Sequence, residues 1–205
     1  MAKPTEPTEI EHEHAIELLD ARYEYRVWGK HRGARKTLSA IASREIVERV
    51  DDCYFLIDEP GVNAKVRGNA LKVKRLVAER KGFECWVSNW HHEAETAPAP
   101  FDELFDELRL DRPARGKPFN LVKAVDRLDD EAPKAIFVTK ERRRYRVGSV
   151  KAEVTDITIE QTAEVLRTLA IVGDDLDELV ALRKRLGLRD AENVAVHVAI
   201  DTAAA

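Results

Sequence analysis

Basic side chains recur at every second position of one segment, and this spacing constrains the fold more than any other feature of the chain. The run KERRRYRV holds four of them: Lys140, Arg142, Arg144 and Arg146. Residues two apart in a β-strand lie on the same face of the sheet. The segment therefore predicts a strand with one strongly cationic face, backed by less polar residues such as Tyr145.

The same alternation recurs in other segments that the residue pattern predicts as strands. Charged residues that share a face within such a strand are Arg22, Glu24 and Arg26; Lys65 and Arg67; Lys72 and Lys74; and Lys151 and Glu153. A solvated sheet with its charges outside is the ordinary interpretation of such a pattern. Exposed faces usually mix both signs of charge, however, and like charges on neighbouring strands repel each other. The excess of basic over acidic residues on these faces therefore favours basic rows that face a common anion.

Charge is segregated along the chain, although the net value is only −4. Residues 65–81 contain seven basic residues and one acid, and residues 139–151 contain six and one. A mildly acidic protein with two intensely basic segments indicates a localised anion site better than a general nucleic-acid surface.

The pattern predicts about eight strands, joined largely by hairpins, so the expected fold class is α+β. Closing the antiparallel sheet into an eight-stranded β-barrel, with helices packed outside, would gather the basic rows into one lumen. Helices are expected at 34–50 and at 174–186, where Gly187 can end the second one. Residues 193–200 are expected to form a final strand or an extended tail.

The expected organisation is an acidic, poorly ordered lead-in at 1–17 and a single domain at 18–200, with a helical insertion around 101–130. No apolar run reaches the roughly 20 residues of a membrane-spanning helix, and the start of the sequence lacks the apolar segment of a secretory signal. The two cysteines, Cys53 and Cys85, form no CxxC pair. These features predict a cytoplasmic protein without a disulfide framework or a membrane partner.

Three sequence features together resemble the CYTH, or triphosphate tunnel metalloenzyme, superfamily. They are a charged first strand with an E-x-R element, the segment NAKVRGNALKVKRL, and the basic strand KERRRYRV followed by VKAEVTDITI and RTLAIVGDDLDELVALRKRLGL. The superfamily includes class IV adenylyl cyclases and thiamine, inorganic and RNA triphosphatases. The resemblance implies a closed antiparallel barrel whose tunnel binds a triphosphate through lysines and arginines, with glutamates that hold Mg²⁺ or Mn²⁺.

The resemblance also implies roles for individual residues. Glu24 and Glu153 match acidic positions and are the candidate metal-binding and catalytic residues. The candidate substrate-binding residues are Arg22, Arg26, Lys65, Arg67, Lys72, Lys74, Arg142, Arg144 and Arg146. The expected partner is a phosphorylated small molecule or polyphosphate, with nucleic acid and an oligomeric state left open.

Two departures from the family pattern leave two interpretations of the function open. Arg22 stands where the first acid of an E-x-E-x-K element would be, and Val172 stands where a metal-binding glutamate is common. The run Glu9, Glu11 and Glu13 has the right spacing to be an alternative metal strand. The chain is therefore either a Mg²⁺- or Mn²⁺-dependent triphosphatase, phosphohydrolase or adenylyl cyclase-like enzyme, or an inactive CYTH-like binding or assembly module. The module would recognise an acidic protein, a nucleotide or a nucleic acid.

Overall fold

The computed structural model describes residues 21–56, 61–68, 70–91 and 134–204, which form eight strands and three helices. The strands are β1 Ala21–Trp28, β2 Arg44–Leu56, β3 Val62–Arg67, β4 Ala70–Arg80, β5 Phe83–His91, β6 Lys134–Val147, β7 Val150–Ile159 and β8 Val165–Gly173. The helices are α1 Arg32–Ile41, α2 Leu176–Arg185 and α3 Val196–Ala204. The predicted lead-in at 1–17, with its Glu9–Glu13 run, and the predicted insertion around 101–130 lie outside the described residues.

The strands close into an antiparallel barrel in the order β1-β5-β4-β3-β2-β6-β7-β8, with β8 pairing back onto β1. This confirms the predicted α+β class and the eight-stranded barrel. A closed barrel leaves no unpaired sheet edge, so each strand has one face toward the lumen and one toward the outside. None of the described helices has the length and apolar character needed to cross a membrane.

The predicted helix at 34–50 is wrong in its second half. Helix α1 ends at Ile41, and β2 begins at Arg44 and continues to Leu56. Strand β2 pairs with β6 along its whole length, from Arg44 opposite Arg146 to Leu56 opposite Lys134. This ladder joins residues about 80 to 100 positions apart, and its hydrogen bonds and packing outweigh a local helical spacing of apolar residues.

The predicted strand or tail at 193–200 is also wrong, since residues 196–204 form α3. Val196 and Ile200, four residues apart, are both buried on one side of this helix. The apolar spacing fits both a strand and a helix over so short a run. Helix α2, in contrast, ends as predicted: Gly187 has a φ of +71°, and the Leu188 amide donates to the Arg183 carbonyl.

Two apolar clusters lie on opposite sides of the barrel wall. The outer core packs α1 and α2 against the outward faces of β1, β7 and β8, with Leu38, Leu179, Tyr25, Leu169 and Ile171 fully or almost fully buried. The inner core packs α3 against inward side chains of β2, β6 and β7: Tyr54, Ile136, Val138, Ile157 and Ile159. The inner core fills one end of the lumen, because these residues continue the inward rows that line the cavity described below.

Candidate anion-binding site

A cavity of about 570 Å³ lies within the barrel and is lined by side chains from all eight strands and from α3. Every site residue that the sequence predicts lines it: Arg22, Glu24, Arg26, Lys65, Arg67, Lys72, Lys74, Arg142, Arg144, Arg146 and Glu153. Arg44, Lys140 and Lys151 add three further cations. Among the described residues, twelve lysines and arginines thus line the cavity against two glutamates.

Side-chain alternation along the strands accounts for this convergence. Residues at the alternate positions point outward, and some of them form ion pairs on the outer surface of the barrel. Arg143 donates to Glu45 at 2.9 Å, and Arg167 lies 3.6 Å from Asp156. None of these four residues lines the cavity. Arg143 and Arg144 therefore point to opposite sides of β6, as the spacing of the basic row predicts.

Glu24 lies between two cations. The Nε and Nη2 atoms of Arg26 donate to its Oε1 at 3.1 and 2.9 Å, and Nζ of Lys74 donates to its Oε2 at 3.2 Å. Burial opposes ionisation of Glu24, but the charges of Lys74 and Arg26 outweigh it and hold the pKa well below the ordinary value. Glu24 is therefore an ionised carboxylate that balances two cations on different strands.

Asp52 organises a second group of cations, although the sequence analysis does not single it out. Arg67 donates to its two oxygens at 2.6 and 2.8 Å, and the Nζ atoms of Lys140 and Lys65 lie 3.0 and 3.5 Å from Oδ2. The Asp52 side chain has no exposed area. Burial opposes its ionisation, but the hydrogen bond from Arg67 and the two lysine charges hold its pKa well below the ordinary value.

The signal that could have identified Asp52 is its position two residues before Tyr54. Once β2 is recognised as a strand, the two side chains share the inward face. Because the predicted helix ends at residue 50, the sequence pattern assigns no face to Asp52.

Burial also lowers the basicity of the lysines beside Asp52. The pKa of Lys140 is lowered to about 8, because burial outweighs the attraction of Asp52. The pKa of Lys65 is lowered well below its ordinary value by burial and by the charge of Lys140. Both lysines donate to the hydroxyl of Tyr54. One corner of the cavity therefore holds lysines that lose their protons more readily than lysines in water.

Arg142 links the third group of charges. It donates from Nε to Oε2 of Glu153 at 3.0 Å and lies 2.9 Å from Glu48 through Nη1. The hydroxyl of Thr155 donates to the other oxygen of Glu153 at 2.7 Å. Burial opposes ionisation of Glu153, but Arg142 and Arg26 lower its pKa to about 2.

Five of the six remaining cations form an exposed rim at the end of the lumen opposite the inner core: Arg22, Arg44, Arg144, Arg146 and Lys151. The sixth, Lys72, is partly buried on β4. Arg144 donates to Glu48 at 3.2 Å, and Arg22 lies 3.4 Å from Asp174. In the part of the chain that the structure describes, no carboxylate lies within ion-pair distance of Arg44, Arg146 or Lys151. The cavity therefore passes from compensated charge inside to only partly compensated positive charge at the rim.

The acidic residues of the cavity do not form a metal site in this conformation. Both oxygens of Glu24 and of Glu153 already accept hydrogen bonds from protein donors. Val172 lies opposite Glu24 in the β1–β8 ladder, and the described residues contain no group of three acidic, histidine or cysteine side chains arranged to hold a metal. Metal binding by Glu24 and Glu153 therefore stays a prediction.

No family model and no curated protein matches the sequence. Among solved structures, the PH1012 protein from Pyrococcus horikoshii OT3 aligns with a TM-score of 0.51 and 16% identity, over 86% of this chain and 97% of that one. A conserved hypothetical protein from Pyrococcus furiosus aligns with a TM-score of 0.49 and 20% identity, over 86% and 98%. A candidate adenylate cyclase from Bacillus halodurans aligns with a TM-score of 0.46 and 9% identity, over 84% and 91%.

At these identities the comparisons bear on fold alone, and the argument rests on the PH1012 protein because its TM-score is above 0.5. The closed order of eight antiparallel strands agrees with it. The inward rows of basic residues are those on which the resemblance to the CYTH superfamily depends. The chain therefore shares a closed eight-stranded fold with the PH1012 protein, and this fold agrees with the barrel that the resemblance to the CYTH superfamily implies.

Proposed function

We propose that the barrel binds a triphosphate-containing or polyphosphate anion in its basic cavity. One observation carries the proposal: twelve cationic side chains from six strands line a cavity of about 570 Å³, and only two glutamates line it with them. That volume lies within the range of about 300–1,000 Å³ for small-molecule sites. The proposed binding unit is the single domain 18–200, and the proposed contacts are those of the predicted substrate-binding residues.

The chemistry of the lining favours phosphate over other anions. Arginine presents a planar fork that bonds two phosphate oxygens at once, and lysine supplies a compact charge. The cations are spread along the lumen, from Lys140 at 5% side-chain exposure to Arg144 at 44%. An elongated anion with charge along its length fits this distribution better than a single compact anion.

Ligand binding should stabilise the fold, because an anion that binds only the folded state shifts the unfolding equilibrium. Tripolyphosphate at about 100 times its Kd is expected to add about 2.7 kcal/mol to the free energy of unfolding. Thermal denaturation with tripolyphosphate, and with sulfate at matched ionic strength, measures this effect. Equal melting temperatures in the two solutions, with or without Mg²⁺ or Mn²⁺, would contradict the proposal.

Binding without chemistry is the form of this function that the site favours over metal-dependent hydrolysis. Glu24 and Glu153 each accept hydrogen bonds from protein donors, and Val172, opposite Glu24, has no side-chain oxygen. The second candidate function, a Mg²⁺- or Mn²⁺-dependent triphosphatase or cyclase, requires the ligand to release these carboxylates from their partners.

A phosphate-release assay with tripolyphosphate and ATP, with each metal, separates the two candidates. Metal-dependent turnover that Glu24→Gln abolishes would support the enzyme. Saturable binding without turnover would support the binding module, whose ligand could then be a nucleotide, a nucleic acid or an acidic protein segment.

A further inference from the structure

A hydrophobic surface lies on the outside of β2 and β3, away from the cavity. Tyr54 of β2 and Lys65 and Arg67 of β3 line the cavity, so the residues that alternate with them point outward. The strands place Cys53 opposite Val66 and Phe55 opposite Ala64, which makes the outward surface continuous. We call it the β2–β3 face, and its residues are no more than 2% exposed: Cys53, Phe55, Val62, Ala64 and Val66.

The outward side of β2 is exposed in the earlier part of the same strand. Glu45, Val47, Arg49 and Asp51 share the alternation of Cys53, and all four are exposed, Val47 at 62%. An outward position of this strand is therefore open to water unless other side chains pack on it. Exposure falls to 2% at Cys53, so a covering layer begins between Asp51 and Cys53.

The three described helices pack on other surfaces of the barrel. Helices α1 and α2 belong to the outer core on β1, β7 and β8, and α3 belongs to the inner core. No residue of the β2–β3 face is a member of either core. Among the described residues, no helix therefore accounts for the burial of this face.

The connection from β5 to β6 has the position and length to cover the β2–β3 face. Residues 92–133 join these strands, which are separated in the barrel by β4, β3 and β2 on one side and by β1, β8 and β7 on the other. The second route is occupied by α1 and α2. The first spans four inter-strand spacings, about 19 Å, which about six extended residues would cross. The connection is several times longer than that.

The connection also contains an apolar stripe that matches the face. Phe101, Leu104, Phe105 and Leu108 recur at the spacing of one side of an α-helix, in the sequence FDELFDELRL. The residues between them are acidic, apart from Arg109. An amphipathic helix is stable only when its apolar side is buried against another element, and the β2–β3 face offers an uncharged surface for it.

We propose that the β2–β3 face is the docking surface for residues 101–108 of the same chain, folded as an amphipathic helix with its apolar stripe against the strands. The chain's own connection is the occupant because the face is already buried in a single chain and because the connection joins the two strands that border β4, β3 and β2. Docking there would hold the strands whose inward sides carry Asp52, Lys65 and Arg67. This inference does not depend on the anion-binding function.

Cys53 is a native probe of the covering layer. Burial raises the pKa of its thiol to about 12, and the thiolate is the form that alkylating reagents attack. Iodoacetamide labelling of the full chain, followed for the Cys53 peptide by mass spectrometry, measures how often this thiol is uncovered. Phe105→Ser should raise the labelling rate by about tenfold or more, because it removes a large apolar contact from the layer. Asp106→Ser, on the acidic side of the same stretch, is the matched control and should leave the rate unchanged.

A disulfide test locates the stripe directly. On mild oxidation, Phe105→Cys should form a disulfide with Cys53 within one chain, and Asp106→Cys should not. Peptide mapping identifies the paired cysteines, and a non-reducing gel separates a bond within one chain from a bond between two chains. A bond between two chains would place a second copy on the face and overturn the proposal.

Circular dichroism and melting curves establish which variants fold. Leu104→Ala, a smaller truncation of the stripe, repeats the labelling test if Phe105→Ser does not fold. An unchanged Cys53 labelling rate in a folded stripe variant would overturn the proposal. Disulfide formation by Asp106→Cys as efficient as that by Phe105→Cys would also overturn it.

Discussion

The two ends of the lumen are built by the same strands but are filled in different ways. Strand β6 contributes Ile136 and Val138 to the inner core, then Lys140 and Arg142 to the cavity, all from its inward face. Toward the apolar end the space is filled by a helix of the chain itself, and toward the basic end it remains a cavity. The alternation of a strand decides which side chains point inward, whereas the composition of that inward row decides what can occupy the space.

The two ends also differ in how they affect stability. Burial of Ile200 in the same apolar cluster as Ile157 and Ile159 removes apolar surface from water and stabilises the fold directly. The basic end gathers like charges, which destabilises the fold unless they are compensated. Three ionised acids provide this compensation among the inner cations: Glu24, Asp52 and Glu153.

The largest expected effect comes from removing the deepest of these acids. Asp52→Asn leaves the cations of Arg67, Lys140 and Lys65 with an uncharged partner, and losing one member of a buried ion pair costs about 3–5 kcal/mol. Chemical denaturation measures the loss. Asp51→Asn is the matched control, because Asp51 is exposed and bonds only Thr139 among the described residues; it should change stability by less than about 0.5 kcal/mol. Equal effects would show that Asp52 does not organise the basic end.

The apolar end should be almost as sensitive. Ile200→Ala removes buried side-chain volume from the inner core and should lower the free energy of unfolding by about 2–5 kcal/mol. Val198→Ala, on the exposed side of α3, should have little effect. Urea denaturation of both variants tests the prediction. A small loss for Ile200→Ala would mean that α3 contributes little to closing the barrel.

A smaller effect, on ligand affinity, is expected at the rim. Arg144→Ala should weaken tripolyphosphate binding by about threefold to tenfold, because Arg144 lines the cavity but is 44% exposed and partly screened. Arg143→Ala removes the same charge from the adjacent position of β6, where the side chain pairs with Glu45 outside the barrel. Calorimetric titration should show a smaller change for Arg143→Ala. Equal changes would indicate that the ligand senses only net charge.

The smallest expected effect is on the pH dependence of binding. The pKa of Lys140 is lowered to about 8, so this lysine changes from ammonium to neutral amine as pH rises through that value. Loss of one positive charge should reduce tripolyphosphate affinity by no more than about tenfold between about pH 7 and pH 9. The groups that face this lysine are Asp52, Tyr54, Lys65, Arg26 and Glu153.

Lys140→Gln should reduce the pH dependence of affinity. Some pH dependence should remain, because the pKa of Lys65 is lowered as well. Calorimetric titration with tripolyphosphate at several pH values gives the slope of affinity against pH for the variant and for the original chain. An unchanged slope in Lys140→Gln would assign the titration to another group.

Local pattern was sufficient to predict most of the cavity lining. Alternation within 140–146, 65–67 and 22–26 indicates which side chains share a face, and all of the predicted residues in these rows line the cavity. Because the barrel is closed, these rows all face the same lumen. Asp52 was missed because its phase depends on β2, whose partner β6 lies far away in sequence.

The sequence by itself determined which charged side chains share a face, because side-chain alternation is a local property of an extended backbone. Tertiary structure alone decided that residues 44–50 extend a strand and that residues 196–204 form a helix packed on the apolar end of the barrel. Both outcomes depend on distant partners: β6 supplies the hydrogen-bond ladder for β2, and the apolar end of the barrel supplies the surface that buries Val196 and Ile200. Short segments with ambiguous periodicity take the conformation that buries their apolar side chains and satisfies their backbone, and only the assembled barrel specifies which one that is.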